Sequence, residues 1–198
     1  MIPIQASAST REYYIRNIIS VWHLATDDQY EQGAHWYERA HWTARTLADG
    51  DVKVGAGLLA ALSPQTAWWL NVELACEAFE SGNATRHTGD SCGKANKILA
   101  GIAPEDVLPM QRKTGHFYRC IINPDDAVSV CIDRHAHDIA VGVAYGDWQR
   151  GLSAHGRYAL IADCYWEAAQ RLGQLPSVIQ AVTWVTWREN MAGVGTRA

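Results

Sequence analysis

The chain has 198 residues, 48% hydrophobic and 19% charged, with a formal net charge of −4. That is enough to bury one well-packed domain, or one domain of two lobes. It excludes a strongly basic nucleic-acid protein, although a local basic face can sit on an acidic whole.

Aromatic usage is lopsided, with nine Trp and eight Tyr against two Phe. Trp and Tyr pair a large apolar face with a polar handle and serve pocket walls and interfaces as well as cores. The five cysteines, Cys76, Cys92, Cys120, Cys131 and Cys164, are widely spaced and form no Cys-x-x-Cys pair. They read as reduced, mostly buried thiols of a cytoplasmic protein. The start, MIPIQASASTREYY, lacks the apolar run of a signal peptide, and no window has the length of a membrane span.

Helical periodicity dominates the chain. Ser9-Thr10 with Glu12 is expected to open a helix through REYYIRNIISVWHLA. Asp27-Asp28 is expected to cap one long helix, YEQGAHWYERAHWTARTLA, ending at Asp49-Gly50. VKVGAGLLAAL follows, with small residues that permit close packing, and Ser63-Pro64 breaks the chain before QTAWWLNVELACEAFESG, closed by Gly82. NATRHTGDSCG reads as a polar loop ahead of KANKILAG, and Pro104-Glu105-Asp106 begins a short turn. QRKTGHFYRCII reads as a helix ending before Asn123-Pro124, VSVC as an extended piece, and IDRHAHDIAVGVAYG as a helix with Asp133 at its N-cap. SAHGRYALIADCYWEAAQRLG and LPSVIQAVTWVTWREN complete the set, the latter opened by Pro176, and GVGTRA reads as a frayed tail. The fold class is all-α, roughly ten helices with short connections and no internal repeat.

The chemistry-bearing stretch is KTGHFYRCIINPDDAVSVCIDRHAHDIA. Lys113 and Asp133 flank a helix and a loop that can return the chain on itself. A lysine amine is a nucleophile, and an aspartate takes a proton or stabilises positive charge on a sugar carbon. An ion pair between helices, with Asp133 a mere cap, accounts for the same spacing. His135 and His137 diverge on a helix, and His116 does not complete a metal set, so no metal is expected. Gln65, just after the Ser63-Pro64 break, carries an amide suited to reading a hydrogen-bonding edge. Arg86, His87, Lys94 and Lys97 form a basic loop and helix face that reads as solvated or as touching phosphates.

Taken in order, these segments resemble the endonuclease III-like DNA glycosylases of the helix-hairpin-helix class. LLAALSPQTAWWLNVELACEAF resembles the opening helix pair of that family, and KANKIL its next helix. VLPMQRKTGHF is similar to the hairpin, and VCIDRHAHDIA to the segment bearing the catalytic aspartate. The similarity covers about Leu58 to Ala140. It implies a two-lobed, all-α fold with a cleft, Asp133 as catalytic aspartate, Lys113 as the Schiff-base lysine, and Gln65 near the residue that probes the gap in the duplex. Leu108-Pro109-Met110-Gln111-Arg112 stands where the hairpin glycines would be, so the hairpin is degenerate. LKTGHFYR-like and IDRHA-like patterns also resemble a phage and actinobacterial branch, the alpha-glutamyl/putrescinyl thymine pyrophosphorylases. That likeness implies an amine or amino-acid co-substrate, with Arg112, Lys113 or Arg134 facing pyrophosphate, and with Asp133 or one of His116, His135 and His137 facing the amine. Both likenesses imply DNA as partner and a base taken out of the stack. No cofactor and no membrane partner is expected. A non-catalytic DNA-binding protein and a helical protein-interaction module are the competing readings.

Overall fold

In a computed structural model the protein is described over residues 6–146, 150–154 and 156–195. The described residues form eleven helices and no strand: α1 (Ala8–His23), α2 (Asp27–Ala34), α3 (Trp36–Leu47), α4 (Val52–Ala61), α5 (Trp68–Ser81), α6 (Gly89–Leu99), α7 (Pro104–Val107), α8 (Lys113–Ile122), α9 (Arg134–Val141), α10 (Arg157–Leu172) and α11 (Pro176–Gly195). The all-α expectation holds. None of these helices is long and apolar enough to cross a membrane.

The chain divides into two compact units. One joins residues 1–36 to 125–198, and the other spans Tyr37–Pro124.

In the first unit, α1 begins one cap earlier than expected, because Ser7 rather than Ser9 accepts from the Thr10 N–H at 3.1 Å. Thr26 and Gln29 form a reciprocal capping box at the start of α2, satisfying two backbone donors that would otherwise be orphaned. The single long helix expected after Asp27 is two helices, interrupted at His35. Gly33 explains part of the local packing: a Cβ there would overlap the backbone of Val182, so only glycine lets α11 lie this close to α2. Ile18, Ile139, Ile161, Ile179 and Tyr165 are fully enclosed and form the centre of this unit's core. Each such aliphatic side chain contributes about 1.5–3 kcal/mol by leaving water.

In the second unit, α4 is central and packs on α5, α6, α7 and α8. Gly55 to Ala61 are all buried, which no amphipathic surface helix would show. The expected close packing is real. A Cβ at Gly55 would strike the Ala44 carbonyl of α3, and one at Gly57 would press on Pro104. α5 begins at Trp68, three residues later than expected, because Gln65 sits in the left-handed region (φ 57°) and holds Ser63–Ala67 as a turn. α6 begins earlier than expected: Thr88 caps it and Gly89–Gly93 are helical, not loop.

VSVC lies outside every helix, in the connection between α8 and α9. One other expectation needs adjustment: α11 continues through Gly195, whereas the frayed tail was expected to begin at Gly193. Residues 196–198 of that tail lie outside the described residues. All five cysteines are free thiols, and Cys76 alone is not buried.

Candidate active site around Asp133

Three tyrosine and tryptophan side chains set where α9 begins. The chain enters through Val130, Cys131 and Ile132, all buried. Their backbone has no ladder to satisfy it, so a hydroxyl stands in: Tyr158 Oη accepts from the Ile132 N–H at 3.0 Å and donates to the Val130 carbonyl at 2.8 Å. Tyr165, fully buried on the same helix α10, donates to the Ala136 carbonyl at 3.2 Å. Asp133 then caps α9 as the sequence predicts, its Oδ1 accepting from the Ala136 N–H at 2.8 Å. Its other oxygen, Oδ2, accepts from the indole Nε1–H of Trp184, on α11, at 3.1 Å. The carboxylate is thus aimed by two donors from different helices, and the residue remains partly exposed.

Trp184 does more than hold Asp133. The Arg188 guanidinium lies 4.4 Å from its ring centroid, a cation–π contact. The His135 ring meets it edge-on, with centroids 6.2 Å apart. Arg134 Nε donates to His135 Nε2 at 3.3 Å, so a neutral His135 carries its proton on Nδ1. Burial pushes the His135 pKa below the ordinary 6.5; Asp133 opposes this, and the charges of Arg134 and Arg188 reinforce it. His135 is therefore a neutral imidazole at pH 7, beside a carboxylate and two arginines.

Further along α9 a second carboxylate lies in quite different surroundings. Asp138 Oδ1 accepts from His137 Nδ1 at 2.9 Å and from Arg150 Nε at 2.8 Å. Its Oδ2 accepts from Arg150 Nη2 at 2.6 Å and from the Tyr145 N–H at 3.3 Å. The Arg150 carbonyl in turn accepts from Arg157 Nη1 at 2.8 Å. Burial alone would raise the Asp138 pKa; the hydrogen bonds from His137 and Arg150 outweigh it and hold the carboxyl below the ordinary 3.8.

The expected site residues separate between the two units. Asp133, Arg134, His135 and His137 are in the first. Gln65, Arg112, Lys113 and His116 are in the second. His137 is fully enclosed with Nδ1 spent on Asp138, so it serves the interior and not a surface that substrate reaches. In the second unit Arg112 is the N-cap of α8, Lys113 its first residue, and His116 follows within the first turn. Gly115 fixes this arrangement. A Cβ there would overlap Met110 Cα and crowd the Pro109 carbonyl, so the Pro109–Met110 turn lies directly on the first turn of α8. Gln65 belongs to a different turn, before α5. That turn is pinned by His87 Nε2, 2.9 Å from Thr66 Oγ1, and by the Thr66 hydroxyl donating to the Pro64 carbonyl at 3.0 Å. Gln65 stands exposed at its tip. Among the described residues no three His, Cys, Asp or Glu side chains are grouped to hold a metal.

The IDRHAHD cluster and the KTGH turn stand inside the region covered by one family model, which matches residues 1–191. The chain belongs to DUF7178, a family of unknown function. No curated protein and no solved structure matches it. The DUF7178 assignment covers both units and both halves of the expected site, so neither unit is an appendage to a smaller family domain.

Two residues at the Asp133 corner, Trp184 and Arg188, were not expected from sequence. TWVTWREN carries them at helical i, i+4 spacing, but with nine tryptophans in the chain that spacing singles out nothing. Arg150, the main partner of Asp138, lies in no motif at all.

Proposed function

We propose that this protein acts on a nucleotide base in DNA, by excision or by modification of a base taken out of the stack, with Asp133 as its reactive carboxylate. The observation that carries the reading is the Asp133 corner itself. A partly exposed carboxylate, aimed by a helix N-cap bond and an indole N–H, sits with a neutral histidine, two arginines and an aromatic ring. Arginines suit phosphate, an aromatic ring suits a base or sugar, and a positioned carboxylate suits charge developing at a sugar carbon. Similarity of VCIDRHAHDIA and VLPMQRKTGHF to glycosylase segments supports the same assignment.

In the excision form, the N-glycosidic bond breaks and its electron pair leaves with the base, while Asp133 stabilises the positive charge on C1′. On the glycosylase likeness a lysine amine, Lys113, adds to that carbon and loses a proton. The C1′–O4′ bond then opens with its electron pair going to O4′, which takes up a proton, and the resulting imine is what borohydride reduces. In the modification form, an amine displaces pyrophosphate from an activated hydroxymethyl-pyrimidine, and Asp133 or His135 accepts the amine proton.

Borohydride trapping separates these outcomes. Wild type, Lys113→Ala and Asp133→Asn are mixed with oligonucleotides carrying an abasic site, uracil, oxidised bases or hydroxymethyluracil. An adduct lost in Lys113→Ala supports excision with lyase chemistry. No adduct, with amine transfer onto phosphorylated hydroxymethyl-pyrimidine DNA, supports modification. DNA binding indifferent to Asp133→Asn, with neither reaction, overturns the enzymatic reading and leaves a non-catalytic DNA-binding protein. No DNA binding even at low salt, where phosphate contacts are strongest, leaves the protein-interaction reading.

A further inference from the structure

The arginines of the first unit differ in what their guanidinium groups face. Arg11 faces Asp163, Arg150 is doubly bonded to Asp138, and Arg171 is doubly bonded to Glu12. Arg134 and Arg188, like Arg16 on α1, are exposed, and among the described residues none of the three has a carboxylate within ion-pair distance. What sets Arg134 and Arg188 apart from Arg16 is that both are tethered, Arg134 through its Nε to His135 and Arg188 over the face of Trp184. His135 packs against that same Trp184 ring, so the two guanidinium groups flank one aromatic platform. Both charges act on His135, which places both within electrostatic reach of a single ring. Two like charges tethered this way repel, and an anion between them removes the repulsion.

We propose that Arg134 and Arg188 form a phosphate-binding subsite on the Trp184–His135 platform, beside the Asp133 carboxylate. The planar guanidinium fork matches phosphate oxygens, and contact with the indole leaves N–H donors of Arg188 unspent. Trp184 links the subsite to the carboxylate. Its ring carries Arg188 while its Nε1–H holds Asp133 Oδ2, so a phosphate docked on Arg188 fixes the neighbouring sugar relative to Asp133. Trp184 is in that sense a positioning residue. The nucleotide identity of the ligand rests on the function proposed above; the anion subsite does not.

The test is fluorescence anisotropy with a labelled single-stranded oligonucleotide bearing a stable abasic analogue, over a series of salt concentrations. Inorganic pyrophosphate is the competing probe. Arg134→Ala, Arg188→Ala and, as a charge control, Arg16→Ala are compared with wild type after thermal melts confirm that each is folded. Arg134→Ala and Arg188→Ala are each expected to weaken binding about tenfold at low salt and to flatten the slope of log affinity against log salt by about 0.7. Arg16→Ala, exposed on α1, is expected to do neither. Pyrophosphate that displaces the oligonucleotide from wild type but fails on Arg188→Ala shows that the subsite takes free phosphates as well as strand phosphates. Failure of pyrophosphate to compete, with the slope still reduced, confines it to strand phosphates. Wild-type-like binding by both variants, or no binding of either probe to wild type, overturns the proposal. A subsite that binds while no base chemistry occurs upholds this inference and sinks the enzymatic one.

Discussion

Asp133, at the N-cap of α9, and Asp138, within it, meet opposite surroundings. Asp138 is 2% exposed, and its two oxygens accept four hydrogen bonds, two of them from Arg150. Asp133 is partly open to solvent and accepts one bond on each oxygen, one from its own helix and one from an indole. The first carboxylate has no capacity left for a substrate. The second is oriented without being consumed. A buried, fully partnered charge organises an interior, and a half-open, aimed one is available for chemistry. Two aspartates five residues apart, one at the N-cap of α9 and one within it, can therefore carry opposite assignments, and hydrogen-bond accounting separates them where residue type does not.

The largest effect expected from this contrast is structural. Asp138→Asn leaves the nearly buried Arg150 guanidinium without its counter-charge. It should cost about 3–5 kcal/mol, read as a lower urea midpoint with an unchanged slope. A wild-type midpoint would show that the pair is dispensable. Asp138 also sets an acid limit. Because its folded pKa lies below 3.8, its stabilising effect is complete above that value and disappears as pH falls through the lower folded value. Asp138→Asn should lack this acid arm in melts taken between about pH 2 and 5.

Next in size is the first turn of α8. Gly115→Ala drives a methyl group into the Met110 backbone and should cost about 1–3 kcal/mol, displacing the turn that precedes Lys113. A wild-type melting temperature would mean that the Pro109–Met110 turn yields without cost.

At the open carboxylate the expected effects on stability are small. Asp133→Ala should lose about 1–2 kcal/mol by removing the cap and the indole's acceptor, while Asp133→Asn keeps one acceptor oxygen for the cap but turns its NH2 toward the Trp184 donor and should cost about 0.5–1.5 kcal/mol. Trp184→Phe keeps the ring but not the N–H donor, and should cost about 0.5–1.5 kcal/mol in chemical denaturation. The smallest effect is a pH slope. His135 has a lowered pKa, so the folded state resists its protonation. Stability should fall as pH drops from about 6.5 toward the folded value. His135→Gln should remove that slope, and an unaltered slope would assign it to another group.

Much of this architecture is legible in the sequence because it is local. Pro176 opens α11, Gly82 and Gly173 in left-handed backbone close α5 and α10, and Asp133 caps α9. Each depends on residues within a turn of one another. The break at His35 is less local: GAHWYERA keeps a continuous helical pattern, and the packing that makes Gly33 necessary comes from Val182 on a distant helix. The start of α6 was hidden by Gly89 and Gly93, which read as loop residues although Thr88 caps them into a helix. The site divides in the same way. Asp133 and its neighbours on α9 lie in one readable cluster. Trp184 and Arg188 join it only because α11 packs on α9, and Arg150 reaches Asp138 across twelve residues with no motif to announce it. Periodicity shows which face a helix buries, not which side chain of a second helix meets its cap.

The most direct test is the turnover of the oligonucleotide substrates by Asp133→Asn, measured beside its thermal melt. The account predicts a melt within about 1.5 kcal/mol of wild type, so that the variant stays folded, and at least a hundredfold loss of base release or amine transfer. Full turnover by a folded Asp133→Asn would contradict the assignment of Asp133 as the reactive carboxylate.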